Sequence, residues 1–230
     1  MDNPQELIAD LLHKKIHLEA AAVERVHFVK TDRRHDPKKS TPFRYLPGRV
    51  PVLVSAPHAV RHYREKKIKP SDEFTGSIAC LLHQLTGCHA LSVTKLYGGD
   101  PNFDYPCIYK SYLGDICRKY GIRLVIDLHG AARGHDFDID IGTVNGASLL
   151  GKQKILQRLI LSLENAGLTR ISQNYFSTTN ENIVTGFVAR ELNTPAMQLE
   201  INKMYRVPHQ NGQAYCQLMA ALFAFIDGLF

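Results

Sequence analysis

A layered α/β fold is what this sequence predicts, and three observations predict it. Short apolar runs rich in Val, Ile and Leu alternate along the chain with segments whose apolar residues recur at helical spacing, the pattern of a sheet covered by helices. The run Leu124–Val125–Ile126 has no polar alternation, which suits a strand buried on both faces. Polar residues then appear where three apolar runs end, at His58, His129 and Glu200. A core has no use for such groups unless they are paired, whereas sites in open α/β sheets collect outside the carboxyl ends of strands. The chain has 230 residues, enough for one domain that buries about 70% of its unfolded surface.

The elements follow in order. "QELIADLLHKKIHLEAA" has helical spacing, and "VERVHFVK" after it alternates as a strand would. Residues 30–49 are basic and rich in Pro and Gly, the composition of a surface loop. "RVPVLVSAPH" is a β-branched run ending at His58, and "DEFTGSIACLLHQLTG" is a helix stopped by Gly87. "CHALSVTKLY" reads as a strand, "GGDPNFDYP" as a polar loop and "CIYKSYLGDICRKYG" as a helix closing at Gly121. "IRLVIDLH" and "FDIDIGT" are the next strands, and "SLLGKQKILQRLILSLENAG" is the clearest amphipathic helix. "PAMQLEIN" is a strand carrying Glu200, and "AYCQLMAALFAFIDGLF" is a largely buried final helix.

Charge and cysteine content narrow the function classes. The formal net charge is +6, with much of the excess in segments 30–40 and 61–67. No RNP-like aromatic motif, zinc-finger spacing or basic helix accompanies it, so these segments read as solvated loops or a surface for an anionic substrate, and nucleic acid is not the expected partner. No apolar run approaches the ~20 residues of a spanning helix, and the first segment is acidic before it is apolar, the wrong order for a secretory signal. Five scattered cysteines without a CxxC fit inert thiols in a reducing, cytoplasmic setting. The oligomeric state is open, a homo-oligomer included.

The chemistry lies in the convergence of His58, His129 and Glu200 with Asp72 and Glu73, which open the helix after the first His loop. Two imidazoles and a carboxylate make a three-point zinc site with a fourth position open to water. A further carboxylate that is not a ligand supplies a base. Structural roles compete at each position: a hydrogen-bonded histidine, an acid stabilising a helix start, a Glu200 paired with Lys203 or Arg206.

As an ordered set, "VLVSAPHAVRH", "SDEFTG", "GGDPNFD", "VIDLHGA", "FDIDIGT" and "MQLEIN" resemble the N-formylglutamate amidohydrolase family over roughly residues 50–206. That resemblance implies a single-domain three-layer sandwich with a mixed, mostly parallel sheet, similar to the zinc carboxypeptidases. Residues 1–49 have no counterpart in it, and 207–230 supply a last helix of the same domain. It implies one zinc ion per chain held by His58, His129 and an acid in "SDEF", with Glu73 favoured and Asp72 the competitor. It implies Glu200 as catalytic base and Asp127 orienting a ligand imidazole. Arg133 is the candidate for stabilising an oxyanion, and Arg61, Asn102 and Arg206 are candidates for gripping substrate. The implied reaction is hydrolysis of an N-formyl or N-acyl amino acid or another small, anionic amide. A carboxypeptidase-like or γ-glutamyl peptidase, and a polyanion-binding protein without chemistry, are the alternatives. The chain departs from the family at His58-Ala59-Val60, where His-Ser-Gly is common, and at Lys203, where Arg is common. Lys lacks the planar fork that grips a carboxylate through two bonds, so the resemblance carries the metal chemistry further than it carries formylglutamate as substrate.

Overall fold

The computed structural model describes residues 3–30, 34, 36, 41–176 and 182–230. Helices α1 (Pro4–His13) and α2 (Ile16–Glu24) are followed by a π-helical turn, Arg25–Val29. Then come β1 (Phe43–Leu46), β2 (Val50–Ala56), β3 (His62–Arg64), β4 (Lys67–Lys69), α3 (Thr75–Thr86), β5 (Cys88–Val93), α4 (Ile108–Tyr120), β6 (Leu124–Ala131) and β7 (Ile139–Gly142). A 3-10 turn at Ala147–Leu149 leads to α5 (Gln153–Asn165), β8 (Ile171–Gln173), α6 (Val184–Leu192), β9 (Ala196–Asn202), α7 (Lys203–Arg206) and α8 (Gly212–Asp227).

Seven strands form one mixed, mostly parallel sheet in the order β1-β5-β2-β6-β9-β7-β8. Only β1 against β5 and β7 against β9 are antiparallel. Helix α3 covers β2, β5 and β6 on one face and packs with α8, which also meets α1 and α5; α6 covers β6 and β9 on the other face and packs with α4. The central strands are buried on both faces, with Leu124, Val125, Ile126 and Leu128 fully shielded. That is why β6 reads as a continuous apolar run.

The strand expected over 23–30 is a correction: this stretch continues helix α2 into the π-turn. Ala20, Glu24 and Phe28 are buried while Val26 and Val29 face solvent, so burial recurs every fourth residue, as on a helix face, and not every second. Part of the basic loop expected at 30–49 is strand β1, an edge strand that pairs Phe43 with Val93 and Leu46 with Ala90. Most of segment 30–40 lies outside the described residues. The basic stretch 61–67 forms most of the β3–β4 hairpin, in which His62 pairs with Lys69. Strand β8 and helix α6 had no counterpart among the expected elements. The first is only three residues long. No helix among the described residues is long and apolar enough to cross a membrane.

Candidate metal centre

Strand register builds the site. Side chains of directly opposed residues share a face, as do residues two apart on one strand. His129 on β6 opposes Glu200 on β9, which opposes Asp140 on β7. Asp127 opposes Ser55 on one side and Gln198 on the other. One face at the carboxyl end of the sheet therefore presents Ser55, Asp127, His129, Gln198, Glu200 and Asp140 together. His58 lies two residues beyond β2 and closes the row.

Two imidazoles converge on one carboxylate. Asp72 Oδ2 lies 3.5 Å from His58 Nδ1 and 3.4 Å from His129 Nδ1, and one ligand atom from each of the three falls within 4.8 Å of the others. The opposite nitrogens are already engaged. His58 Nε2 donates to Asp100 Oδ1 at 2.8 Å, and His129 Nε2 donates to Asp127 Oδ2 at 2.9 Å. Each carboxylate thus orients its imidazole and turns Nδ1 toward Asp72, the arrangement of a metal-binding histidine with its outer partner. Asp127 is fully buried and also accepts from Ser55 Oγ at 2.6 Å. The donor set suits a divalent cation such as zinc.

The acid at the centre is Asp72 and not Glu73. Glu73 points outward, its side chain half exposed, and pairs with Lys203 at 3.2 Å. The adjacent acids differ because the backbone of 72 is tied down: Asp72 N–H donates to His58 O at 2.8 Å, and Thr75 N–H donates to Asp72 O at 3.1 Å. Sequence spacing could not separate two neighbouring acids; the backbone turn does.

Electrostatics bear on the same cluster. Burial would raise the Asp72 carboxyl, yet hydrogen bonds from His129 and His58 outweigh it and hold the group below the usual carboxylate range. For His129, burial opposes the proton, but Asp127 and Asp72 hold its pKa well above the ordinary imidazole value. His58 is raised in the same way, against burial, by Asp100 and Asp72. Glu200 is raised by burial, opposed by His129 and reinforced by the negative charges of Asp72 and Asp140. Gln198 Nε2 donates to its Oε1 at 2.9 Å.

Several neighbours were not anticipated. Asp100, in the "GGDPNFD" loop, holds His58, accepts from Arg64 Nε at 2.6 Å and accepts from the N–H groups of Asn102 and Phe103. His62 stacks on His58 with ring centroids 3.7 Å apart; burial and the His58 charge lower its pKa to about 3, so it is neutral. The spacing H-x3-H in "HAVRH" was the available signal for it. Asp140 accepts from Ser172 Oγ and from the N–H groups of Tyr175 and Phe176. Asn202 ties down the loop after β6, its Nδ2 donating to the carbonyls of His135 and Phe137.

The expected substrate-reading residues separate. Asn102 is buried, and its Oδ1 accepts from Val184 N–H at the start of α6 at 2.8 Å. Arg206 is also buried; it donates to the carbonyls of Glu73 and Ile201. Its guanidinium lies against Gly130, where an added Cβ would come within 2.6 Å of it. Gly130 and His129 point to opposite faces of β6, so this arginine sits across the strand from the imidazole. Gly130→Ala is expected to lower stability by about 1–3 kcal/mol by expelling the guanidinium, read as a fall in denaturation midpoint. Arg61 and Arg133, in contrast, are exposed, Arg61 in the loop that carries His58 and Arg133 two residues beyond the end of β6.

Comparison with known proteins finds no matching family model and no matching curated protein. Solved structures do match in fold. The chain is similar to an N-formylglutamate amidohydrolase from Ralstonia eutropha, at 13% identity and a TM-score of 0.61, covering 81% of this chain and 96% of that one. It is similar to a protein from Agrobacterium tumefaciens at 10% identity and a TM-score of 0.56, covering 83% and 96%. It is similar also to YndL in an apo, zinc-free form, at 17% identity and a TM-score of 0.52, covering 84% and 94%. The α/β architecture expected from the motifs is the architecture these proteins share.

Proposed function

We propose that the chain is a zinc-dependent amidohydrolase that cleaves the amide of an N-acyl amino acid or a similar small amide, with His58, Asp72 and His129 as ligands and Glu200 as general base. The observation that carries this is the meeting of two imidazole Nδ1 atoms on Asp72, with both Nε2 atoms already committed to buried carboxylates. The structural neighbours named as an amidohydrolase and as a zinc-free form support the reading. One ion per chain is proposed. A second cation between His58, His62 and Asp100 would lie beside the Arg64 guanidinium and would need both nitrogens of His58.

Held by His58, Asp72 and His129, zinc would lower the pKa of a water toward about 7 and would polarise an amide carbonyl. Glu200 takes the proton as the water oxygen bonds to the carbonyl carbon, and passes it to the amine as the C–N bond breaks. Gln198 orients one Glu200 oxygen. Arg133 is assigned to the developing oxyanion and Arg61 to a substrate carboxylate, both side chains being exposed near the cluster.

Metal content of the purified protein, measured by mass spectrometry after dialysis without chelator, tests the reading. About one zinc per chain is expected, together with turnover in a panel of formyl-, acetyl- and peptidyl-amino acids. No zinc retained or taken up would overturn it. Cleavage confined to peptidyl substrates would make the chain a peptidase.

A further inference from the structure

The N-terminal segment, which has no part in the family resemblance, reaches the loop that carries Asp72. Glu24, at the end of α2, is buried, and its Oε1 accepts from Phe74 N–H at 3.0 Å. Phe74 has φ +69°, a left-handed conformation that a bulky side chain adopts only when its surroundings impose it. One turn further along, Phe28 presses on the same stretch. A Cβ added to Gly76 would meet the Phe28 ring at 2.4 Å. Each backbone unit from 72 to 75 is tied: Asp72 N–H to His58 O, Glu73 O to Arg206, Phe74 N–H to Glu24, Thr75 N–H to Asp72 O. Of these ties, the one at the left-handed residue is the one the N-terminal segment supplies.

We infer that Glu24 is a positioning residue for the metal centre: it holds Phe74 in its left-handed conformation and thereby sets Asp72 between the two imidazoles. This rests on the metal reading above. Without the Glu24 acceptor, the Phe74 N–H is a buried donor lacking a partner, and the chain relieves this by rotating toward negative φ. That rotation swings the preceding two residues and draws the Asp72 carboxylate off the axis between His58 and His129. The first two helices are then part of the catalytic apparatus and not an appendage.

The test uses the full chain and zinc alone, with zinc affinity measured by competition against a fluorescent chelator. Glu24→Gln keeps an oxygen for the Phe74 N–H and is expected to hold zinc within about threefold of wild type. Glu24→Asp, one methylene too short to reach, and Glu24→Ala are expected to weaken zinc by roughly 10–100-fold, the range found for residues that orient ligands. Unfolding of the zinc-free variants is followed in parallel, because a merely structural role lowers their midpoints and leaves zinc affinity alone. Folded Glu24→Asp with wild-type affinity overturns the inference, and this variant decides the matter even if Glu24→Ala does not fold. Wild-type protein that takes up no zinc overturns the metal reading itself, and the positioning role with it.

Discussion

Glu200→Gln is expected to bind zinc as tightly as wild type and to lose hydrolysis by about 10²–10⁴-fold, the usual contribution of a positioned general base. The amide has nearly the shape of the carboxylate and still offers one oxygen to Gln198 Nε2, so β9 and its pairing with His129 stay in place. What it cannot do is accept a proton from water. Zinc content and steady-state rates on the best substrate of the panel check this, and the split between them is the informative part. Equal loss of zinc and rate would make Glu200 a ligand. Full activity would remove it from the reaction.

His129→Gln is expected to fail at the earlier step. Removing one of three ligands should weaken zinc by more than about 100-fold, beyond what the loss of an outer partner costs. Glutamine is preferred to alanine because Asp127 is wholly buried and needs a donor; a buried carboxylate stripped of its partner costs about 3–5 kcal/mol. Protons compete for the same nitrogens. In the metal-free protein the surrounding carboxylates raise the proton affinity of His58 and His129 against burial, so protons compete with zinc at these imidazoles. Wild-type affinity should therefore rise with pH by about tenfold per unit for each proton displaced and flatten once the imidazoles are neutral. Calorimetry in buffers of different ionisation enthalpy measures the protons released. The variant, with one imidazole gone, should release fewer.

Much of this site is legible in the sequence, and the rest is hidden for identifiable reasons. His58, His129 and Glu200 stand out because each follows or ends an apolar run, and it is their joint placement at strand ends, more than any one of them, that points to a site. Asp127 is legible for the same reason, two residues before His129 on the same face. Asp72 is not separable from Glu73 by spacing, since the distinction lies in a left-handed residue at Phe74 that composition does not announce. Asp100 is obscured by a loop in which Asp and Asn suit turn chemistry equally well. Glu24 sits on a helix whose valines imitate a strand, and only its burial shows that the acid faces inward. Asn102 and Arg206 look like substrate readers because both are polar and near the motifs, yet their hydrogen bonds are spent on α6 and on the Asp72 loop.

The strand order has a bearing on how the chain is made. β7 and β8 reach the rest of the sheet only through β9, which inserts between β6 and β7 although it is synthesised after both. Until residues 196–202 leave the ribosome, the sheet ends at β6, and the two later strands have nowhere to dock. The strand that fills this gap is also the one that bears Glu200. An unfinished chain therefore carries His58, Asp72 and His129 but not Glu200, so the sheet and the candidate site are completed by the same strand.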